Sequence, residues 1–287
     1  MALAILAVTY FGIGLFVASR LTAPSPAQME VTPASVGLDF RDVRLNSADD
    51  VELAAWWVPE RGASRAAVLV HGFGGNKSDE QVLRTARIYS QAGYNVLMID
   101  LRAHGQSEGD RRTLGYQEIR DVRGALDWLE EGGFQSGQTI IHGWSMGGST
   151  VVRAAPGTGV AAVVEEAGYA DLPLLLGDAI PENSGLPAFF NHGTKLMAKV
   201  FLDFDSEAVV PKRNAAKLSE EGVPLFVVHS TTDETVPFEH AEMFREANPE
   251  AALWKLDGYA HVEAYKHPEY RTRLSGFLQK LEDREAA

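Results

Sequence analysis

The chain has 287 residues, 45% hydrophobic and 23% charged, which supplies enough apolar side chain for a packed core and excludes global disorder. Its 26 basic against 39 acidic residues leave a net charge of −13, so it lacks the clustered basic field that a nucleic-acid backbone requires, and no DNA or RNA partner is expected. With no cysteine, disulfides, thiolate nucleophiles, iron-sulfur clusters and cysteine-ligated zinc are excluded, while the redox compartment stays open.

Residues 2–18 are apolar apart from Thr9 and two glycines, and Arg20 ends the run. That is slightly short of the roughly 20 residues that cross a bilayer and longer than the about 7 to 15 of a signal-peptide core. A basic n-region is missing, so residues 1–20 are read first as an uncleaved anchor. A removed signal, with Val17-Ala18-Ser19 as its cleavage site, and a buried helix are the alternatives. The expected location is membrane-anchored or secreted, and Arg20 alone is too little to set orientation. Residues 21–37, with Pro24, Pro26 and Pro33 among small side chains, read as an extended tether.

From residue 38 to 287 the pattern predicts one domain. Short aliphatic or β-branched runs at 38–45, 51–58, 66–70, 95–100, 139–143, 160–165, 224–229 and 252–256 predict strands. Helical stretches at 79–91, 115–131, 146–155 and 238–247 alternate with them, which predicts an α/β fold: a mostly parallel sheet with helices on both faces. The first two runs have no helix between them and predict an antiparallel hairpin at the sheet edge. Residues 169–212 break the alternation, carry apolar clusters and no clear strand, and are read as a small helical lid rather than a plain crossover.

The strongest chemical signal is Gly143-Trp144-Ser145-Met146-Gly147, between a predicted strand and a predicted helix. This is the context of a nucleophile elbow, whose sharp turn needs small residues two before and two after the serine. A serine hydroxyl is nearly inert at neutral pH and needs a base oriented by an acid. Asp233, in the loop after the strand at 224–229, and His261, in the loop after the strand at 252–256, supply them in the chain order Ser145, Asp233, His261. His267 is the competing base, and Glu234, Glu165 and Glu166 are the competing acids. His71, His104, His142 and His229 read as structural hydrogen-bonders, Asp203 and Asp205 as caps within the lid interval. Trp144 reads equally as a wall of the acyl pocket or as core.

With His71-Gly72-Phe73-Gly74-Gly75 after the strand at 66–70 and Asp100-Leu101-Arg102-Ala103-His104-Gly105-Gln106-Ser107 after the strand at 95–100, the chain resembles the α/β-hydrolase superfamily from residue 38 to residue 281. It looks most like bacterial membrane-anchored or secreted esterase-like members, relatives of the monoacylglycerol lipase and acyl-protein thioesterase branch. The resemblance implies that the backbone N–H groups of Phe73 and Met146 bind the oxyanion. The expected activity is hydrolysis of a small-molecule carboxylic ester, with an apolar acyl or aryl part, through an acyl-enzyme. A serine peptidase or acyl thioesterase on the same fold, and a non-catalytic membrane-tethered binding module, are the alternatives. No metal is expected, because the chain has neither H-E-x-x-H spacing nor an Asp-rich calcium loop, and no cofactor either, because it has no phosphate-binding P-loop.

Overall fold

The computed structural model describes residues 1–285; the last two residues of the expected domain, 286 and 287, lie outside the described residues. The chain begins with a helix (α1, Ala2–Leu21), then a two-residue strand (β1, Ser25–Pro26) and a short 3-10 turn at Pro33–Val36. An antiparallel hairpin follows (β2, Arg41–Asn46; β3, Glu52–Val58), and from there strands and helices alternate. In order these are β4 (Ala66–Val70), α2 (Glu80–Gln91), β5 (Asn95–Ile99), β6 (His104–Gly105), α3 (Ile119–Glu131), β7 (Thr139–Trp144), α4 (Met146–Ala154) and β8 (Ala162–Glu166). Two helices, α5 (Leu172–Ser184) and α6 (Phe190–Phe201), come next. The remainder is α7 (Pro211–Glu220), β9 (Leu225–Ser230), α8 (Glu239–Ala247), β10 (Ala252–Leu256) and α9 (Tyr270–Glu285).

Eight strands form one sheet in the order β10-β9-β8-β7-β4-β5-β3-β2. The six from β10 to β5 are parallel, and β3 and β2 continue antiparallel, so the helix-free connection between the first two runs is indeed an edge hairpin. The parallel strands other than the edge strand β10 are buried along both faces, which is why β4, β5 and β7 read as unbroken apolar runs instead of alternating ones. One face packs on α3, α4, α7 and α8, the other on α2 and α9. Strands expected from composition agree with those observed to within one to three residues at each end. The helix expected from residue 115 starts at Ile119, because Leu114 and Gly115 both have left-handed φ (49° and 78°) and turn the chain before it can wind.

Residues 23–32 contain no helix, Leu21 ends α1 and Pro33–Val36 form the 3-10 turn, and the segment is fastened to the domain. Ser25 and Ala27 donate to the carbonyls of Ala103 and Gly105, pairing β1 with β6, and Pro33 is buried. Residues 169–212 are helical, through α5 and α6, before α7 begins the return to the sheet. The carboxyl ends of β4, β7, β8, β9 and β10 all open on the same side of the sheet, the edge at which parallel α/β sheets bind ligands.

Candidate active site

Ser145 stands at the junction of β7 and α4 with φ 52° and ψ −120°, a conformation that a non-glycine residue holds only under restraint. The restraint is visible atom by atom. The Ser145 N–H donates to the Glu166 carbonyl at 2.8 Å, tying the elbow to β8. A Cβ on Gly143 would overlap the backbone of Gly147, and one on Gly147 would overlap the carbonyl oxygens of Val70 and His71. The two glycines let strand, turn and helix pass through one another's side-chain space.

His261 Nε2 lies 2.8 Å from Ser145 Oγ, and His261 Nδ1 lies 2.7 Å from Asp233 Oδ2. Asp233 is buried, and its other carboxylate oxygen accepts from the backbone N–H groups of Thr235 (2.9 Å) and Val236 (3.0 Å). Burial pushes the Asp233 carboxyl up; the hydrogen bond and charge of His261 and the two amides outweigh it and leave the pKa below the ordinary value. The carboxylate is therefore held ionised and aimed at the imidazole, which fixes the ring with Nε2 toward the serine. Thr235 and Val236 went unnoticed in the sequence; an aspartate followed by amides two and three residues on is the signature of an Asx turn.

Met146 follows Ser145 in the chain, and Phe73 lies on the loop that Gly72 brings up to it. Met146 opens α4, whose first N–H groups have no partner one turn earlier, and among the described residues neither amide has a protein acceptor. Gly72 brings the Phe73 loop close: its ideal Cβ position is 3.1 Å from Ser145 Cβ. His71 holds that loop, with Nε2 accepting the Leu101 N–H at 3.0 Å and Nδ1 donating to the Gly72 carbonyl at 2.7 Å. Burial depresses its pKa to about 4, which keeps the ring neutral for this accepting role.

The other candidates lie elsewhere. His267 packs its ring on Trp254 and Tyr259, and its Nδ1 accepts the Glu269 N–H. Glu165 accepts from the Gly168 N–H, and Glu166 reaches His142 (2.9 Å) and the Tyr270 hydroxyl on the opposite face. His104 donates through Nδ1 to the Arg102 carbonyl. His229 donates through Nε2 to the Val236 carbonyl at 2.8 Å, beneath Asp233. Asp203 accepts from Gln117, while Asp205 caps the 3-10 turn at Ser206–Ala208 and pairs with Lys199. Trp144 is fully buried and stacks on His142 at 4.2 Å, so it is core. In the D-x-R-x-x-G-x-S turn, Asp100 takes the Lys77 ammonium, and Arg102 bridges Asp49 and Asp121, which is structural work.

Among the described residues no group of three or more His, Cys, Asp and Glu side chains is placed to hold a metal ion. A serine, an imidazole and a buried carboxylate in one hydrogen-bonded line can carry nucleophilic acyl transfer.

Known proteins share this fold. Lysophosphatidylserine lipase ABHD12 of Mus musculus is 24% identical over 83% of this chain and 66% of its own, and alpha/beta hydrolase domain-containing protein WAV2 of Arabidopsis thaliana is 24% identical over 82% and 76%. The solved structure of the Pyrococcus furiosus esterase Pf2001 superposes with a TM-score of 0.74 at 25% identity, covering 90% of this chain and 98% of that one. The model of the alpha/beta hydrolase family matches residues 67–270, and the chain belongs to that family.

Proposed function

We propose that the protein is a serine carboxylic-ester hydrolase. The observation that carries this reading is the continuous line from Ser145 Oγ through His261 to Asp233, at 2.8 and 2.7 Å. His261 takes the serine proton as Oγ attacks the ester carbonyl, and Asp233 stabilises the imidazolium that results. The amides of Phe73 and Met146 hold the tetrahedral oxyanion. The imidazolium then protonates the leaving alcohol, and a water activated by the same ring releases the acid from Ser145. The esterase and lipase named among the similar proteins favour esters over peptides and thioesters. The apolar clusters of the 169–212 insertion favour an acyl or aryl group.

In this reading residues 38–287 form the hydrolase domain, 169–212 are its lid, 1–20 are a membrane segment and 21–37 its fastened link. At about 1.5 Å per residue α1 is about 30 Å long, the hydrocarbon thickness of a bilayer. Leu3, Ile5, Leu6, Val8 and Phe16 stand exposed along it, which favours a lipid contact over a buried helix. Fractionation checks this: the full chain should sediment with membranes.

The catalytic test is hydrolysis of short p-nitrophenyl esters. Ser145→Ala should lower kcat by at least about a thousandfold, with the substrate still binding. Equal rates in both proteins would end the reading in favour of a binding module. A panel of matched esters, thioesters and aminoacyl amides separates the three enzyme classes.

A further inference from the structure

Arg112 lies on the loop between β6 and α3, half-buried, with its guanidinium stacked 4.1 Å from the centre of the Phe73 ring. Its Nη1 is 3.6 Å from the ideal Cβ position of Gly74, the next residue of the oxyanion loop. Gly74 is two residues from Gly72, whose ideal Cβ position is 3.8 Å from Ser145 Oγ, so the guanidinium is no more than about 18 Å from the serine hydroxyl by these steps.

This cation has no anion. Among the described residues no side chain or carbonyl accepts from its guanidinium, and its buried Nε is left without a partner. Glu118 is the acidic residue that bears on it electrostatically, but both Glu118 oxygens are taken by Thr113, one by its N–H at 2.6 Å and one by its hydroxyl at 2.7 Å. Other arginines set into the domain are matched: Arg102 by Asp49 and Asp121, Arg65 by Glu282, Arg153 by the carbonyls of Gly115 and Ala208. In a chain with a net charge of −13, an uncompensated guanidinium costs desolvation that a purely structural role does not return. Burial lowers the Arg112 pKa without removing its charge at neutral pH.

The loop's other contact fixes where this charge is presented. The Arg112 N–H donates to the carbonyl of Thr22 at 2.9 Å, so the guanidinium sits where the end of α1 meets the oxyanion loop. Its planar fork fits two oxygens of a phosphate or carboxylate.

We propose that Arg112 recognises an anionic group, a phosphate or a carboxylate, carried by the ester substrate on the side of the scissile bond that faces the Phe73 loop. The proposal rests on the ester-hydrolase reading above. An ester amphiphile with an apolar acyl chain and a short anionic head would carry that head to Arg112.

The experiment uses the full chain and three matched esters of octanoic acid: octanoyl glycerol, octanoyl glycerol phosphate and octanoyl glycerate. Wild-type protein should show a higher kcat/KM on one or both anionic esters than on the neutral one, and the stronger of the two identifies the head group. Arg112→Met, which retains an apolar cover over Phe73, should reduce the anionic-to-neutral ratio by about tenfold or more, mainly through KM, and Arg112→Lys should restore part of it. The same ligands are titrated calorimetrically into Ser145→Ala protein with and without Arg112→Met, so that binding is read apart from turnover. If turnover is absent but the charge preference in binding follows Arg112, the site stands and the hydrolase reading fails. If turnover is present and the ratio does not move with Arg112→Met, or if wild-type protein prefers the neutral ester, the proposal is overturned.

Discussion

The molecule brings backbone against backbone through glycine in two places, and the difference between them separates its rigid part from its adjustable part. At the elbow, Gly143 and Gly147 are wholly buried between β4, β7 and α4, and no Cβ fits at either. At the periphery, Gly14 of α1 meets Gly193 of α6, where an ideal Cβ on Gly14 would stand 2.8 Å from the Gly193 carbonyl carbon. This second contact is bordered by exposed apolar residues, Phe189, Val200 and Phe201 on one side and Phe16 on the other. The elbow glycines are enclosed by β4, β7 and α4, so an intrusion there must move the core. The α1–α6 pair has protein on one side only, so an intrusion there tilts a helix pair and leaves the sheet alone.

The largest expected effect tests the rigid half. Gly147→Ala places a methyl against the Val70 and His71 carbonyl oxygens, backbone atoms that cannot rotate away. It should cost about 3 kcal/mol or more in urea unfolding and abolish ester hydrolysis in whatever folds. A stable, active Gly147→Ala protein would mean that the elbow is softer than its neighbours indicate.

A smaller effect locates the seam between the halves. His240 on α8 is buried, and its Nδ1 accepts the N–H of Ala170, where the chain leaves β8 for the helical insertion. Burial first, then the neighbouring His229, hold its pKa at about 4, against an ordinary 6.5. The depressed value means that the unfolded chain takes up this proton earlier than the folded one. Stability is therefore full above about pH 6.5 and is lost as pH falls toward 4, by about 2 kcal/mol between pH 7 and 5. In His240→Gln, whose amide oxygen can accept the same N–H, that part of the acid dependence should vanish. Urea unfolding of the two proteins at pH 7 and pH 5 gives the difference directly, and equal acid losses would remove His240 from the seam.

The same division explains what could be read from the sequence. The sheet was legible because parallel strands buried on both faces must be continuous apolar runs, and the elbow because its geometry tolerates only glycine at 143 and 147. Asp233 and His261 were legible because each follows a strand whose end opens on the edge that holds Ser145. The docking of residues 25–27 on β6 was not, since a two-residue ladder has no periodicity to detect. Nor was the α1–α6 contact: Gly14 lies in a uniformly apolar run and Gly193 beside a histidine, and nothing local marks them as partners. Arg112 looked like one of many loop arginines, because the absence of a partner is a property of space and not of spacing.

The smallest effect tests the adjustable half. At the head of α6 the Phe189 carbonyl stands one turn before Gly193, and a hydroxyl bridges it to the Gly193 N–H. The Gly193 N–H donates to the Tyr10 hydroxyl at 3.0 Å, and that hydroxyl in turn donates to the Phe189 carbonyl at 2.8 Å, with the Tyr10 ring stacked on Phe189 and Phe190. A residue of α1 thus caps a helix of the insertion 183 positions away. Tyr10→Phe keeps the stacking and removes both hydrogen bonds, at a cost of about 1 kcal/mol. Because the pair is peripheral, the cost should fall on local opening: amide exchange at Gly193 and along the first turn of α6 should quicken about fivefold, while exchange in β4 and β7 stays as it was. Should the sheet amides quicken by the same factor, the two glycine contacts belong to one cooperative unit, and α1 is as much a part of the hydrolase core as the elbow is.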